Sequence, residues 1–412
     1  MDKQILYLSY DGMTDPLGQS QVLPYLKGLS QKGGYRFTIL SFEKKERFQR
    51  EGPLVKALME EAGIDWVPVF FTSNPPVLSK IYDRWNMRRT ALRLMKSKRF
   101  DMLHCRSYIA AELGLRFKKQ FGSRFLFDMR GFWADEKKDN GHWDQHKRFF
   151  RMVYAHYKRL EKAFLQEADG VVSLTQAAAD EMHTWPGFSQ LAMDVIPCCA
   201  DLDHFDFHKV SSEQYSALRK SLGIAPGNKV MTYLGSIGGW YMTAEMFAFF
   251  RQLLDQDPNY TLLLLTKEQF EKVRAEALAA GIPEEKIIVT YAPRQDLPVY
   301  LSVSDCSIFF IRPSYSKIAS SPTKHAELMG MGIPVICNAI GDTGNIIRQT
   351  KTGYEIREFS PSAYGAAIAA MPEILSIPQQ QIRDAAFQYF DLAMGIERYS
   401  RLYQRIFEKG HQ

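Results

Sequence analysis

The 412-residue sequence has five cysteines and not one CxxC pair among them. Cys105, Cys198, Cys199, Cys306 and Cys337 show no zinc-ligand spacing, and several lie in or beside apolar strand patterns. Buried free thiols in a reducing cytoplasm are therefore expected, with no metal site. Long apolar runs are missing too. The densest leucine run, Leu262–Leu265, is far short of the roughly 20 residues a membrane span needs. The opening MDKQILYLSYDGM reads as a strand and loop and is too polar for a secretory signal. Gly12 and Gly18 stand too far apart for GxGxxG, which removes the dinucleotide fingerprint. No pair of carboxylates suggests hydrolytic glycosidase chemistry, and no low-complexity segment interrupts the chain.

Apolar content of 46% with 24% charged residues is that of a globular protein with a real core. The net charge of +6 is uneven: residues 1–200 carry about +8 and the remainder about −2. Much of the excess lies in RWNMRRTALRLMKSKR, residues 84–99, which holds seven cations and no acid among Trp85, Leu92, Leu94 and Met95. Such a helix suits an anionic membrane surface, and equally the solvated face of a crossover helix. No nucleic-acid module accompanies it, so a nucleic-acid partner is not expected.

Short apolar strands alternate with helical stretches from end to end. Strands are expected near 4–9, 36–41, 65–70, 101–104, 124–128, 170–174 and 193–197. The rhythm restarts with strands near 229–234, 260–265, 286–291, 305–311, 334–337 and 353–356. The fold class is therefore α/β, with two tandem Rossmann-like, doubly wound domains and parallel sheets. The boundaries fall at 1–200 and 201–385. An amphipathic helix over 386–412 has no strand to cover and is expected to return to the N-terminal domain. Ligands of such domains bind at the carboxyl ends of the strands, here in a central cleft between the two.

The strand-end loops carry the candidate chemistry. In SYDGMTDPLGQSQVL, Gly18 and Gln19 precede a helix expected over 20–32. DMLHCRSY brings His104 and Arg106 to one side by period two. FLFDMRGFWADE adds Asp128, Arg130 and Trp133. In the second half, YLGSIGGWYM offers Gly235 and Ser236 for close approach to a phosphate. Arg294 opens a further helix. In ASSPTKHAELMGMGIPVI, Ser320 or Ser321 is a natural N-cap, with Pro322 in the first helical position. Lys324 then stands as a mobile cation at a helix end that binds anions. Glu327 lies five residues past Pro322, about 7.5 Å along the axis, a reach that suits a diphosphate and a ribose. The same residues also make a capped surface helix with an i,i+3 Lys–Glu pair.

These motifs resemble, over nearly the whole chain, those of retaining nucleotide-sugar glycosyltransferases of the GT-B fold, family 4 type. The matching stretches are DPLGQSQ, FDMRGFW, IPCCADLDHF, YLGS, PRQDLPVYLSVSD and, most specifically, SSPTKHAELMGMGIPVI. The resemblance implies a UDP- or GDP-linked sugar held mainly by the C-terminal domain through Gly235, Ser236, Arg294, Ser321, Lys324 and Glu327, with Gly18 and Gln19 of the N-terminal domain closing over the phosphates. It implies an acceptor-side N-terminal domain with Asp128 and Trp133, and His104, Arg106 and Arg130 as catalytic candidates. Two positions depart from the family pattern. Ala319 stands where an acid is common, and Ser236 with Trp240-Tyr241 replaces a cationic clamp.

The implied activity is hexosyl or N-acetylhexosaminyl transfer to a saccharide or lipid-linked acceptor, in surface polysaccharide or glycolipid assembly. It needs no cofactor or metal, and the protein is expected in the cytoplasm or peripheral on the inner face of a membrane. The alternatives are a nucleotide-sugar epimerase or hydrolase, and a non-catalytic partner subunit of the same fold.

Overall fold

The computed structural model describes residues 2–72, 75–267 and 269–408. The chain divides into two units. The first comprises residues 1–197, 315–320 and 392–412, and the second residues 198–314 and 321–391.

The first unit is built on a seven-stranded parallel sheet of β1 (Lys3–Ser9), β2 (Tyr35–Glu43), β3 (Asp65–Phe70), β4 (Met102–Arg106), β5 (Arg124–Asp128), β6 (Gly170–Ser173) and β7 (Asp194–Val195). The order is β3-β2-β1-β4-β5-β6-β7. Helices cover both faces of such a sheet, so its strands are apolar almost throughout; every residue of β4 is buried. The chain reverses direction along the sheet between β1 and β4, which pair from Ile5↔Met102 to Ser9↔Arg106. That switch point is where doubly wound sheets open a ligand crevice at their carboxyl ends.

The second unit repeats the plan with β8 (Lys229–Leu234), β9 (Tyr260–Leu265), β10 (Ile287–Thr290), β11 (Cys306–Phe309), β12 (Val335–Asn338) and β13 (Gly353–Ile356). Its order is β10-β9-β8-β11-β12-β13, all parallel. All thirteen expected strands are present, and all five cysteines are buried and free.

Two helices differ from expectation. The helix expected over 20–32 is two, Pro16–Gln21 and Leu23–Gln31, broken where Val22 takes φ −122°. The stretch after 376 is also two helices, Gln379–Phe390 and Leu392–Glu408. Asp391 between them is extended and bridges to Ala200. Residues 409–412 of the expected terminal helix lie outside the described residues. The helix Leu392–Glu408 packs closely on the first unit because two of its neighbours lack side chains. A Cβ at Gly28 would strike Ile396, and one at Gly170 would strike Ile406.

Candidate active site

In the first unit, β1, β4 and β5 end in a buried polar cluster. His104, Arg106 and Asp128 are all buried, and their strands place them in adjacent register. Both nitrogens of His104 are engaged inside the unit. Nδ1 lies 2.7 Å from the Tyr403 hydroxyl and Nε2 3.5 Å from the Asp128 carboxylate. Tyr399 donates to the same carboxylate at 3.1 Å. Burial pulls the His104 pKa below the usual imidazole range against the pull of Asp128. Burial pushes Asp128 up, but Arg130, the His104 bond and Arg106 outweigh it and hold its carboxyl below the ordinary value.

Arg106 donates through Nε to Asp11 at 3.3 Å, and its Nη1 is buried with no hydrogen-bond partner. Arg130 lies 3.8 Å from Asp128 and sits at φ +56°, a left-handed conformation unusual for a side-chain-bearing residue. Two guanidinium groups thus stand against two carboxylates, Asp11 and the deeply buried Asp128, and the Arg106 Nη1 keeps a donor to offer an anionic group. Trp133 belongs elsewhere, packed among Tyr108, Trp143 and Tyr157.

The loop after β1 is fixed by a residue the sequence analysis missed. Glu43, wholly buried at the end of β2, accepts from the Met13 N–H at 2.7 Å, the Thr14 N–H at 3.1 Å, the Thr14 hydroxyl at 2.5 Å and the Ser41 hydroxyl at 2.6 Å. An acid closing the apolar run FTILSFE was the available signal. Gly18 fits against the Gly12 carbonyl, which any Cβ there would strike. The Gln19 amide donates to the Thr14 carbonyl at 3.2 Å.

In the second unit, Lys324 is not a mobile surface cation. It is 6% exposed, donates to the Tyr233 hydroxyl at 3.1 Å, and lies 3.6 Å from the Tyr241 ring centroid and 4.2 Å from that of Tyr233. Burial lowers its pKa well below that of a free lysine, against an opposing effect of Glu327. A Cβ at Gly235 would come within 2.9 Å of its Nζ, and Gly235 takes φ +119°. Only glycine suits both the conformation and the space. The Tyr233 hydroxyl donates to the Ser236 carbonyl, tying the turn to the cage.

The expected cap is also different. Pro322 is the N-cap of the helix Thr323–Gly330 and makes no side-chain cap bond. Ser321 Oγ instead accepts from the Cys198 N–H at 3.1 Å. Proline fixes the entry to the helix, so neither serine can reach its free N–H groups. Glu327 pairs with Arg294 at 2.9 Å rather than with Lys324. Burial raises the Glu327 pKa, and Arg294 offsets it. Gly235, Ser236, Arg294, Lys324 and Glu327 therefore surround the carboxyl end of β8 and the start of the helix Thr323–Gly330. Arg312, whose guanidinium lies 4.6 Å from the Trp240 ring centroid, is a further cation near this turn that sequence reasoning missed. Ala319, at the position of the family's common acid, is buried and groups with the first unit. Among the described residues no cluster of three or more His, Cys, Asp or Glu could hold a metal ion.

Residues 18–204 match the sequence model described as Glycosyltransferase Family 4, and residues 214–386 match that of Glycosyl transferases group 1. A D-inositol 3-phosphate glycosyltransferase of Nocardia farcinica is 25% identical over 219 residues, covering 51% of this chain and 46% of that protein. An alpha-monoglucosyldiacylglycerol synthase of Streptococcus pneumoniae is 22% identical over 197 residues, covering 48% of this chain and 43% of that one. The chain thus spans about half the length of these curated relatives. Anabaena Alr3699/HepE, solved with UDP and glucose, superposes with a TM-score of 0.69 at 15% identity, over 97% of this chain and 99% of that one. At that identity the likeness bears on the fold alone, and the fold is GT-B. With one domain model following the other across most of its length, the chain belongs to the glycosyltransferases that carry a Family 4 domain and a group 1 domain in tandem.

Proposed function

We propose that the protein transfers a hexosyl or N-acetylhexosaminyl unit, with retention, from a UDP- or GDP-linked sugar to a saccharide or lipid-linked acceptor. The setting is surface polysaccharide or glycolipid assembly on the cytoplasmic face of a membrane. The observation that carries this reading is Lys324. A buried ammonium with aromatic rings around it and, among the described residues, no carboxylate within ion-pair distance is costly. An incoming diphosphate would supply the missing counter-charge.

Glu327, one helical turn further on, takes the ribose hydroxyls once Arg294 moves to the phosphates. Ser236, Ser321, Gly18 and Gln19 complete the donor side. Catalysis rests on stabilising the leaving diphosphate by preorganised cations and N–H groups, commonly the largest catalytic effect. We assign that charge to Lys324 and Arg294 rather than to a resident metal ion. Arg106 and Arg130 provide the acceptor-side charge, with Asp128 shaping that side. His104, both of whose nitrogens are engaged, acts by holding Asp128 in place.

The alpha-monoglucosyldiacylglycerol synthase supports a lipid-linked acceptor. Thermal stabilisation by a panel of UDP and GDP nucleotides and their sugars tests the reading, with Glu327→Ala alongside. A nucleotide at about a hundredfold excess over its Kd adds about 2.7 kcal/mol. Stabilisation by one nucleotide class, weakened in Glu327→Ala and retained in EDTA, is the expected result. No response to any donor would favour the non-catalytic partner subunit, for which Ser236 and Ala319 are the specific grounds. Donor turnover without an acceptor would favour the epimerase or hydrolase.

A further inference from the structure

The helix Pro76–Ser97 turns Asp83, Met87, Ala91 and Met95 inward. Leu92 and Leu94, which the sequence places among the cations of 84–99, also pack against the core of the first unit. The apolar side chains left in solvent stand earlier in the helix. Leu78 is 62% exposed, Ile81 60%, and Tyr82 and Trp85 50% each. Steps of three and four residues put these four in one outward row. The same row continues through Arg89, Arg93 and Lys96, so the helix is divided along its length, apolar in its first turns and cationic after. The Arg89 guanidinium, 5.3 Å from the Trp85 ring centroid, marks the change.

Arg84 is paired with Glu112. Among the described residues no carboxylate pairs with Arg88, Arg89, Arg93 or Lys96. Alongside the row runs a trench of about 910 Å³, lined by Tyr82, Asn86 and Arg93 on the helix and by Lys44, Lys45 and Glu46 across from it, three cations against one acid.

We propose that this helix docks the first unit on an anionic phospholipid surface. Leu78, Ile81, Tyr82 and Trp85 enter the boundary between headgroups and acyl chains. Arg88, Arg89, Arg93 and Lys96 meet the lipid phosphates, and the trench admits a headgroup. Charge and apolarity together select this partner. A nucleic acid would satisfy the cations and leave Leu78 and Ile81 bare, while a second copy docked through the same face would set cation against cation. Docking is separate from transfer, since it can be read without donor or acceptor.

Co-sedimentation of the full chain with vesicles of phosphatidylcholine, with and without phosphatidylglycerol, tests the proposal. Binding should require the anionic lipid and fall as salt is raised. The triple variant Arg88→Gln, Arg89→Gln, Arg93→Gln should lose roughly a hundredfold in affinity. The double variant Ile81→Ser, Trp85→Ser should lose roughly tenfold or more. Both sets are exposed, so melting temperatures and thermal stabilisation by nucleotide should stay as in the wild type. Equal binding to neutral vesicles, or wild-type binding by both variants, would overturn it. So would a wild-type protein that ignores vesicles but self-associates in a manner the variants lose.

Discussion

Glu43→Gln keeps the volume of a wholly buried side chain and removes its charge, which makes it a sharp test of what holds the loop after β1. The carboxylate accepts four hydrogen bonds, two on each oxygen. Glutamine offers one accepting oxygen and an NH₂ that can only donate. With its oxygen toward Met13 and Ser41, the amide faces the Thr14 N–H donor to donor, though the Thr14 hydroxyl can turn to accept. One buried backbone N–H is thereby orphaned, at about 1–3 kcal/mol. The remaining bonds lose their charge assistance and with it about half their strength. The total comes to about 3 kcal/mol.

In a unit of this size each kcal/mol shifts the melting temperature by about 2–4 °C. The transition of the first unit should therefore fall by about 6–12 °C. Hydrogen exchange across residues 12–20 should accelerate by roughly two orders of magnitude. The donor KM should rise as well, because Gly18 and Gln19 sit on this loop. A melting temperature within about 2 °C of wild type, with unchanged exchange at Met13 and Thr14, would refute the account of Glu43 as the loop's anchor.

Lys324→Met separates stability from function. Burial favours the neutral amine, so the folded chain binds fewer protons than the unfolded one between the lowered pKa and the ordinary value of 10.5. The charge is a cost that is greatest toward low pH and fades as pH rises to 10.5. The variant should be more stable at neutral pH by on the order of 1 kcal/mol, with the gain narrowing in alkaline denaturation series, and nucleotides should no longer stabilise it. A variant less stable at neutral pH, yet still stabilised by nucleotide, would remove Lys324 from the donor site. His104→Gln, whose amide reaches as far as Nε2 but has nothing at Nδ1, and Tyr403→Phe break one hydrogen bond from its two ends. Each should lower kcat by about tenfold without altering nucleotide stabilisation, and steady-state kinetics beside thermal shifts will show whether they do. Gly18→Ala forces a methyl against the Gly12 carbonyl and should cost about 1–3 kcal/mol, measured by chemical denaturation.

The strands were legible because a doubly wound sheet buries both faces. YTLLLL and MLHCR needed no partner to be recognised as interior. Within the candidate site, Gly235, Ser236, Arg294, Lys324 and Glu327 were each singled out from local pattern, and the structure brings them together. What local pattern could not show was the state of Lys324, because its cage is made by Tyr233 and Tyr241, more than 80 positions earlier. The pairing of Glu327 with Arg294 rather than with Lys324 was hidden for the same reason, since helical spacing sees only the nearer cation. Pro322 took the cap position, and the Ser321 hydroxyl is engaged instead by the Cys198 N–H, more than 120 positions earlier. On the basic helix, composition located the cations but not the row exposed beside them. Which apolar residues face inward depends on the sheet beneath, and residues 84–99 do not encode that alone.

The helix Leu392–Glu408 has a consequence for how the protein comes off the ribosome. The first unit's His104 and Asp128 wait for hydroxyls that arrive only with Tyr399 and Tyr403, after the whole second unit has been translated. At about 5–20 residues per second, a nascent chain that has finished Pro197 spends roughly 10–40 s with that cluster unsatisfied. The glycine-lined seats for Ile396 and Ile406 stand bare over the same interval. The earlier unit in the sequence is therefore the later one to close, and a nonsense codon between residues 391 and 399 would strand it open.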